Sequence, residues 1–166
     1  MIFYCHFSSP LGRITILQNG EAITHLHIGE APVLPADARQ QETLLLQEAC
    51  RQLSEYFAKT RQTFDLPLNP AGTAFQKKVW SALCTIPYGQ TRTYKDIAIA
   101  IGCPKGFRAV GLANNKNPIA ILIPCHRVIG ASGKLVGYAG GLHLKKFLLE
   151  LEGVPVAEKA QRIFSN

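Results

Sequence analysis

Pro67-Leu68-Asn69-Pro70-Ala71-Gly72 divides this chain into two stretches of different character. Prolines this close to a glycine deny the backbone both a regular helix and a paired central strand, so the segment reads as a connector. Before it, Ile2–Phe7, Arg13–Gln18 and Ala22–Ile28 are rich in Ile, Thr, Phe and Tyr and read as short strands. Ser8-Ser9-Pro10-Leu11-Gly12 joins the first pair and Asn19-Gly20 the second, which predicts an antiparallel meander. A loop with Pro32 and Pro35 follows, and Asp37 is placed to cap a helix running to about Lys59. Leu45, Leu46, Ala49, Cys50, Leu53, Tyr56 and Phe57 form its apolar stripe. Residues 1–70 are therefore expected to be one α+β domain with its connector.

Residues 71–166 change period. Thr73 is placed to cap a helix carrying Phe75, Val79, Ala82, Leu83 and Ile86, stopped by Pro87 and turned at Tyr88-Gly89. A second helix spans Tyr94 to Ile101 and ends at Gly102, and a third runs from about Lys105 to Ala113. Two short helices around a glycine-proline turn make a helix-turn-helix pattern, whose second helix lies against DNA where such a pair binds DNA; many folds that bind none contain it too. Ile119-Ala120-Ile121-Leu122-Ile123 reads as a buried segment brought to a sharp stop by Pro124. The glycines and small residues from Val128 to Gly141 exclude a regular helix and permit close approach of backbone to a ligand. Leu142–Glu152 is helical again, with Leu144, Phe147, Leu148 and Leu151 at three-four spacing and Gly153 and Pro155 at its end. The fold class is α+β, a small antiparallel sheet with a helix followed by a mostly helical C-terminal domain.

The chain of 166 residues is 47% hydrophobic and 17% charged, the composition of an ordinary globular protein with one good-sized core or two small ones. Its net charge of +7 favours a polyanionic partner without identifying one. Cys5, Cys50, Cys84, Cys103 and Cys125 are odd in number and irregularly spaced, with no CxxC pair. Neither a disulfide framework nor a zinc site is indicated, and a reducing cytoplasm is the expected location. His6, His25 and His27 lie near Cys5 in the N-terminal part, but their spacing fits no standard zinc set, and alternation puts His25 and His27 on one solvated strand face; no metal is expected. No leader-like segment and no run of membrane-spanning length occurs, so no membrane association is expected.

Pro124-Cys125-His126-Arg127 carries the chemistry. A thiol delivered to a core edge beside basic groups is a candidate nucleophile; its plainer reading is a buried structural cysteine with a surface histidine. Glu152, at a helix C-terminus where the dipole disfavours an anion, is either solvated or held by a partner. Arg108 and Asn117 read plainly as a surface ion-pair residue and a turn former before Pro118, and Tyr94 as a half-buried aromatic at a helix start. Ala109, Gly111 and Ala113 are small, and a helix with small residues on one face approaches a minor groove closely.

With Tyr138-Ala139-Gly140-Gly141 and Leu151-Glu152-Gly153, the Pro124–Val128 stretch resembles the active-site region of the O6-alkylguanine-DNA alkyltransferases, the methylated-DNA–protein-cysteine methyltransferases. The resemblance is strong from about Thr73 and weaker over residues 1 to 70, where Ser9-Pro10-Leu11-Gly12 matches best. It implies a monomeric repair protein that binds double-stranded DNA containing alkylated bases, flips the nucleotide out, and moves the alkyl group irreversibly from guanine O6, or thymine O4, to a cysteine. It implies Cys125 as acceptor, His126 as base through an ordered water, and Glu152 as the group orienting His126. Tyr94 matches the residue that rotates the nucleotide and donates a proton, Arg108 the intercalating finger, and Asn117 the hinge asparagine. Ala109 and Gly111 belong to the same DNA-facing helix. Val128, Tyr138, Ala139 and Gly140 match the base pocket, and Ala139 departs from members with serine there, leaving only its backbone N–H for the O6 oxygen. Lys145, on the nearby helix, is expected to be solvated. No organic cofactor is implied, because the cysteine itself is the acceptor. A noncatalytic binder of alkylated DNA, a helix-turn-helix transcription regulator and a cysteine hydrolase are the alternatives. The first lacks an acceptor cysteine, the second needs no Cys125–His126–Glu152 set, and the third would turn over acyl or peptide substrates.

Overall fold

A computed structural model describes residues 1–30, 32–136, 138 and 141–156. The chain forms two compact units, one of Met1–Ala71 with Pro118–Leu122, the other of Gly72–Asn117 with the chain from Ile123 on. Among the described residues no helix is long and apolar enough to cross a membrane.

In the first unit, β1 (Ile2–Ser9), β2 (Gly12–Asn19) and β3 (Ala22–Ile28) form the antiparallel meander. A short fourth strand, β4 (Arg39–Gln40), adds parallel to β1, giving the order β3-β2-β1-β4 and a mixed sheet. That strand carries no apolar pattern, which is why the sequence hid it, and it moves the helix start. Helix α1 (Leu44–Phe57) is capped by Thr43, not by Asp37, because the chain stays extended through β4. The Thr43 hydroxyl accepts from the Leu46 N–H at 3.1 Å and donates to Gln18 Oε1. Leu46, Ala49, Leu53 and Tyr56 of α1 are buried, as are Ile14 and Ile16 of β2.

Cys5 and His6, adjacent on β1, differ accordingly: Cys5 is buried, while His6 meets the Thr15 hydroxyl at 3.0 Å. His25 and His27 are exposed. The inserted segment joins this unit through the Leu26 N–H, which donates to the Pro118 carbonyl at 2.9 Å, with Ile119 buried alongside. The apolar run 119–123 is buried as its composition demands, yet it turns rather than extends. Ile121 sits at φ +71°, a conformation a β-branched residue adopts only under constraint.

The second unit begins with α2 (Ala74–Leu83), whose Thr73 and Gln76 make a capping box. Trp80 of α2 is buried and donates its indole N–H to the Ala113 carbonyl at 2.9 Å. Strand β5 (Arg92–Thr93) leads into α3 (Tyr94–Ala100), capped by a second box from Thr93 and Asp96. Helix α4 (Phe107–Asn115) starts two residues later than its composition suggested, at Phe107 rather than about Lys105, since Cys103–Gly106 closes a turn with the Gly106 N–H on the Cys103 carbonyl. A 3₁₀ turn at Cys125–Arg127 leads into β6 (Val128–Ile129), parallel to β5, and α5 (Leu142–Leu151) ends at Glu152.

The capping box at Thr73 satisfies backbone donors that would otherwise be orphaned at the start of α2. Thr73→Ala is expected to lower unfolding free energy by about 1 kcal/mol, read as a shifted urea midpoint at unchanged slope. An unchanged midpoint would show that the box contributes nothing.

Candidate active site

Glu152 organises this region of the second unit. Its side chain is fully buried and touches two segments far apart from it in sequence. The Arg127 guanidinium spans both its oxygens, Nε to Oε1 at 2.8 Å and Nη2 to Oε2 at 3.0 Å. The Gly89 N–H donates to Oε1 at 3.1 Å, and His126 Nε2 lies 2.6 Å from Oε2. A carboxylate served by a bidentate arginine and a backbone N–H is held ionised, and an ionised carboxylate only accepts. Nε2 therefore carries the imidazole proton, and Nδ1 is left as the basic nitrogen. Nδ1 is buried and has no hydrogen-bond partner. Gly89 is needed for its backbone: it sits at φ +76°, and a Cβ there would come within 3.2 Å of the Glu152 carbonyl. Arg127 also donates from Nη1 to the Ile86 carbonyl at 2.7 Å and lies over the Tyr88 ring.

Cys125 is held by its backbone beside this cluster. Its N–H donates to the Ile123 carbonyl, and its carbonyl accepts from the Val128 N–H and the Asn114 amide. The Asn117 amide donates to the Ile123 carbonyl at 2.8 Å, tying the end of α4 to the segment before the thiol. Burial pushes the Cys125 thiol up, against the opposing pull of Asn117, Lys145 and Tyr138. Burial likewise pushes the His126 imidazole down, more strongly than Glu152 raises it. The pair is thus a protonated thiol next to a neutral base.

The Tyr138 hydroxyl is buried and makes no hydrogen bond of good geometry. It is nevertheless close enough to Cys125 for each to perturb the other, and burial first, then the sulfur, holds the phenol well above its usual range. Tyr94 is pushed up to about 12, by burial and then by Cys125, and its hydroxyl donates to the Val136 carbonyl. Val128 is buried in β6. Ala139 and Gly140, the other two pocket expectations, lie outside the described residues.

On α4, Arg108 and Ala109 are exposed, while Ala113 is buried against Trp80. Gly111 lies against the Tyr94 ring, where a Cβ would make ordinary contact at 3.8 Å. The small residues of α4 therefore do not share one face, because helical rotation separates positions two apart. Leu112 is exposed beside Arg108, at 68%.

Lys145 corrects the sequence reading. It is not solvated but fully buried, its ammonium donating to the Val136 carbonyl at 3.1 Å and lying 3.5 Å from the Tyr94 hydroxyl. Nothing in the α5 pattern signals this, since a lysine one turn from Leu148 usually snorkels out. Arg127 was equally silent: its role depends on a carboxylate 25 residues away in sequence.

Residues 74–154 match the family described as 6-O-methylguanine DNA methyltransferase, DNA binding domain, and residues 2–70 match 6-O-methylguanine DNA methyltransferase, ribonuclease-like domain. A methylated-DNA–protein-cysteine methyltransferase of Methanosarcina barkeri is 54% identical over 91% of this chain and 97% of its own length. The constitutive methylated-DNA–protein-cysteine methyltransferase of Bacillus subtilis is 46% identical over 96% of this chain and its entire length. Among solved structures, Mycobacterium tuberculosis OGT in complex with DNA is similar at a TM-score of 0.85 and 47% identity, covering 93% of this chain and 96% of that one.

Lys145 supplies a pH test. Burial lowers it from 10.5 to about 8, so between those values the unfolded chain binds more protons than the folded one. Stability owed to Lys145 must rise with pH across that window and be flat below it. The unfolding free energy of the wild type relative to Lys145→Met is expected to climb by about 3 kcal/mol between pH 8 and 10.5, measured by chemical denaturation. A pH-independent difference would contradict the burial of the charge.

Proposed function

The chain belongs to the methylated-DNA–protein-cysteine methyltransferase family, and from that premise we propose that Cys125 is the acceptor to which it transfers the alkyl group of O6-alkylguanine in DNA. It is a DNA-repair methyltransferase, and the observation that carries the residue assignment is the buried His126–Glu152 contact beside that thiol. His126 Nδ1 takes the Cys125 proton, through one water, and Glu152 stabilises the imidazolium that forms. The thiolate attacks the alkyl carbon, the carbon–O6 bond breaks, and guanine leaves as an anion. Tyr94 returns a proton to the base, and Lys145, 3.5 Å from its hydroxyl, stabilises the phenolate. The thioether has no route back, so each molecule acts once.

The target carbon is hidden inside a duplex, so the nucleotide must leave the stack. Arg108, exposed on α4 with Ala109 beside it, is positioned to fill the gap from the minor groove, and the exposed Leu112 adds an apolar contact to the sugars. Asn117 acts as a positioning residue between α4 and the thiol segment. Val128 and Tyr138 line the base. The protein acts as a monomer.

Incubated with excess O6-methylguanine duplex, the protein is expected to plateau at one methyl per active molecule, with the adduct on the Cys125 peptide by mass spectrometry. Continued turnover, or a methyl on another cysteine, would overturn the assignment. Arg108→Ala separates reading DNA from reacting with it. It is expected to slow transfer from a fully paired duplex by at least ten-fold, about 1.4 kcal/mol of the few kcal/mol that extrusion costs, while transfer from free O6-benzylguanine stays within about two-fold. Equal losses on both substrates would mean that Arg108 supports the pocket or the fold.

A further inference from the structure

Two thiols in the first unit are used by nothing described so far. Cys5 on β1 and Cys50 on α1 stand with their sulfurs 3.6 Å apart, although 45 residues separate them in sequence. Both are free thiols; Cys5 is buried and Cys50 is partly open to solvent. The elements that carry them are held together around the pair. Phe7 of β1 stacks on Phe57 of α1 at 6.4 Å between ring centroids, and Thr43, at the start of α1, is hydrogen-bonded to Gln18 of β2. The sulfurs are thus kept within reach by packing that does not depend on them. A disulfide needs about 2 Å between sulfurs, a gap that side-chain rotation of two cysteines already facing each other can close.

We propose that Cys5 and Cys50 form a redox-reactive pair, a site of reversible modification in which peroxide oxidises Cys50 and Cys5 resolves it to an intramolecular disulfide. The two sulfurs have the asymmetry this requires. The sulfurs lie within hydrogen-bond reach, either able to donate, and this contact lowers the Cys50 thiol and raises that of Cys5. Glu42 opposes ionisation of both more weakly, and burial adds to the protonation of Cys5. The partly open, more acidic sulfur is the nucleophile, and the buried, protonated one is the resolving thiol. In the first step the Cys50 thiolate attacks one peroxide oxygen, the O–O bond breaks, and sulfenic acid and hydroxide result. In the second, Cys5 sulfur attacks Cys50 sulfur, the S–O bond breaks, and the Cys5 proton leaves with the departing hydroxide as water. Overall two thiols and one hydrogen peroxide give one disulfide and two waters; the sulfurs lose two electrons and the peroxide gains them. A thiol reductant reverses the step by exchange.

This site lies in the first unit and shares no group with Cys125, so it stands whether or not the alkyl-transfer reading does. The bond would staple α1 to β1 and close a long loop, which removes freedom from the unfolded chain.

The test treats the full-length protein with hydrogen peroxide, quenches free thiols, and maps cross-links by non-reducing peptide mass spectrometry. The expected result is a Cys5–Cys50 cross-linked peptide. With it should come a melting midpoint several degrees above that of the reduced protein, reversed by dithiothreitol and absent in Cys50→Ser and in Cys5→Ala. Recovery of Cys5 and Cys50 as separate peptides, as thiols or as sulfinic acids, would overturn the proposal. So would a cross-link that joins either of them to a different cysteine instead.

Discussion

A single buried carboxylate holds the reactive region of this protein together. Glu152 gathers Arg127, His126 and the Gly89 N–H around two oxygens, and those partners come from the thiol segment and from the turn after α2. A charge so placed is costly to desolvate, and it is tolerated because every acceptor position finds a donor. The same economy explains why Glu152 occupies a helix C-terminus, where the dipole alone would repel it. Removing Arg127 would leave the buried carboxylate without its bidentate cation, a loss of about 3–5 kcal/mol by the usual cost of breaking a buried pair. The thiol segment would then be tied to Glu152 through His126 alone.

The electrostatic consequence is a site that rests in its least reactive form. Burial dominates each group: it keeps Cys125 a thiol, His126 neutral, Tyr94 a phenol near 12, and Lys145 easier to deprotonate at about 8. A protonated thiol is poorly nucleophilic, which fits the proposed role of Cys125 as an acceptor that reacts once. Under the proposed mechanism activation requires a base, and the open basic nitrogen on His126 is Nδ1, because Glu152 holds the proton on Nε2. Lys145 is kept buried at a cost in stability, as expected of a group retained for its charge beside Tyr94 and Cys125 rather than for packing.

Much of this was legible in the sequence because it rests on local rules. Threonine caps, glycine stops and alternating strands placed β1 to β3, the start of α2 and α5 within a residue or two, while α2 ends at Leu83, three residues short of the expected Ile86. What stayed hidden depends on distant partners. The β4 strand has no side-chain pattern of its own and exists because Phe3 and Tyr4 offer it an edge, so Asp37 looked like a cap when Thr43 is one. The run 119–123 advertises burial but not the turn at Ile121, which no glycine marks. In the site, the motif around Cys125 drew attention to His126 and Glu152, and the structure brings them into contact. Arg127 and Lys145 passed as ordinary cations, since a cation's burial is decided by the carboxylate, carbonyl or ring that receives it, and none of these is adjacent in sequence.

The claim that Glu152 fixes the working tautomer of His126 is tested most directly by the single-turnover transfer rate of Glu152→Gln on an O6-methylguanine duplex, measured alongside DNA affinity. The glutamine amide would present a donor to Nε2, or an acceptor without charge, and either change weakens the base at Nδ1. The account predicts a rate lower by about 10²–10⁴-fold, with the dissociation constant for DNA within a few-fold of the wild type and partial recovery of rate at higher pH, where thiolate forms without the relay. A folded Glu152→Gln protein that transfers the methyl group at the wild-type rate would contradict it.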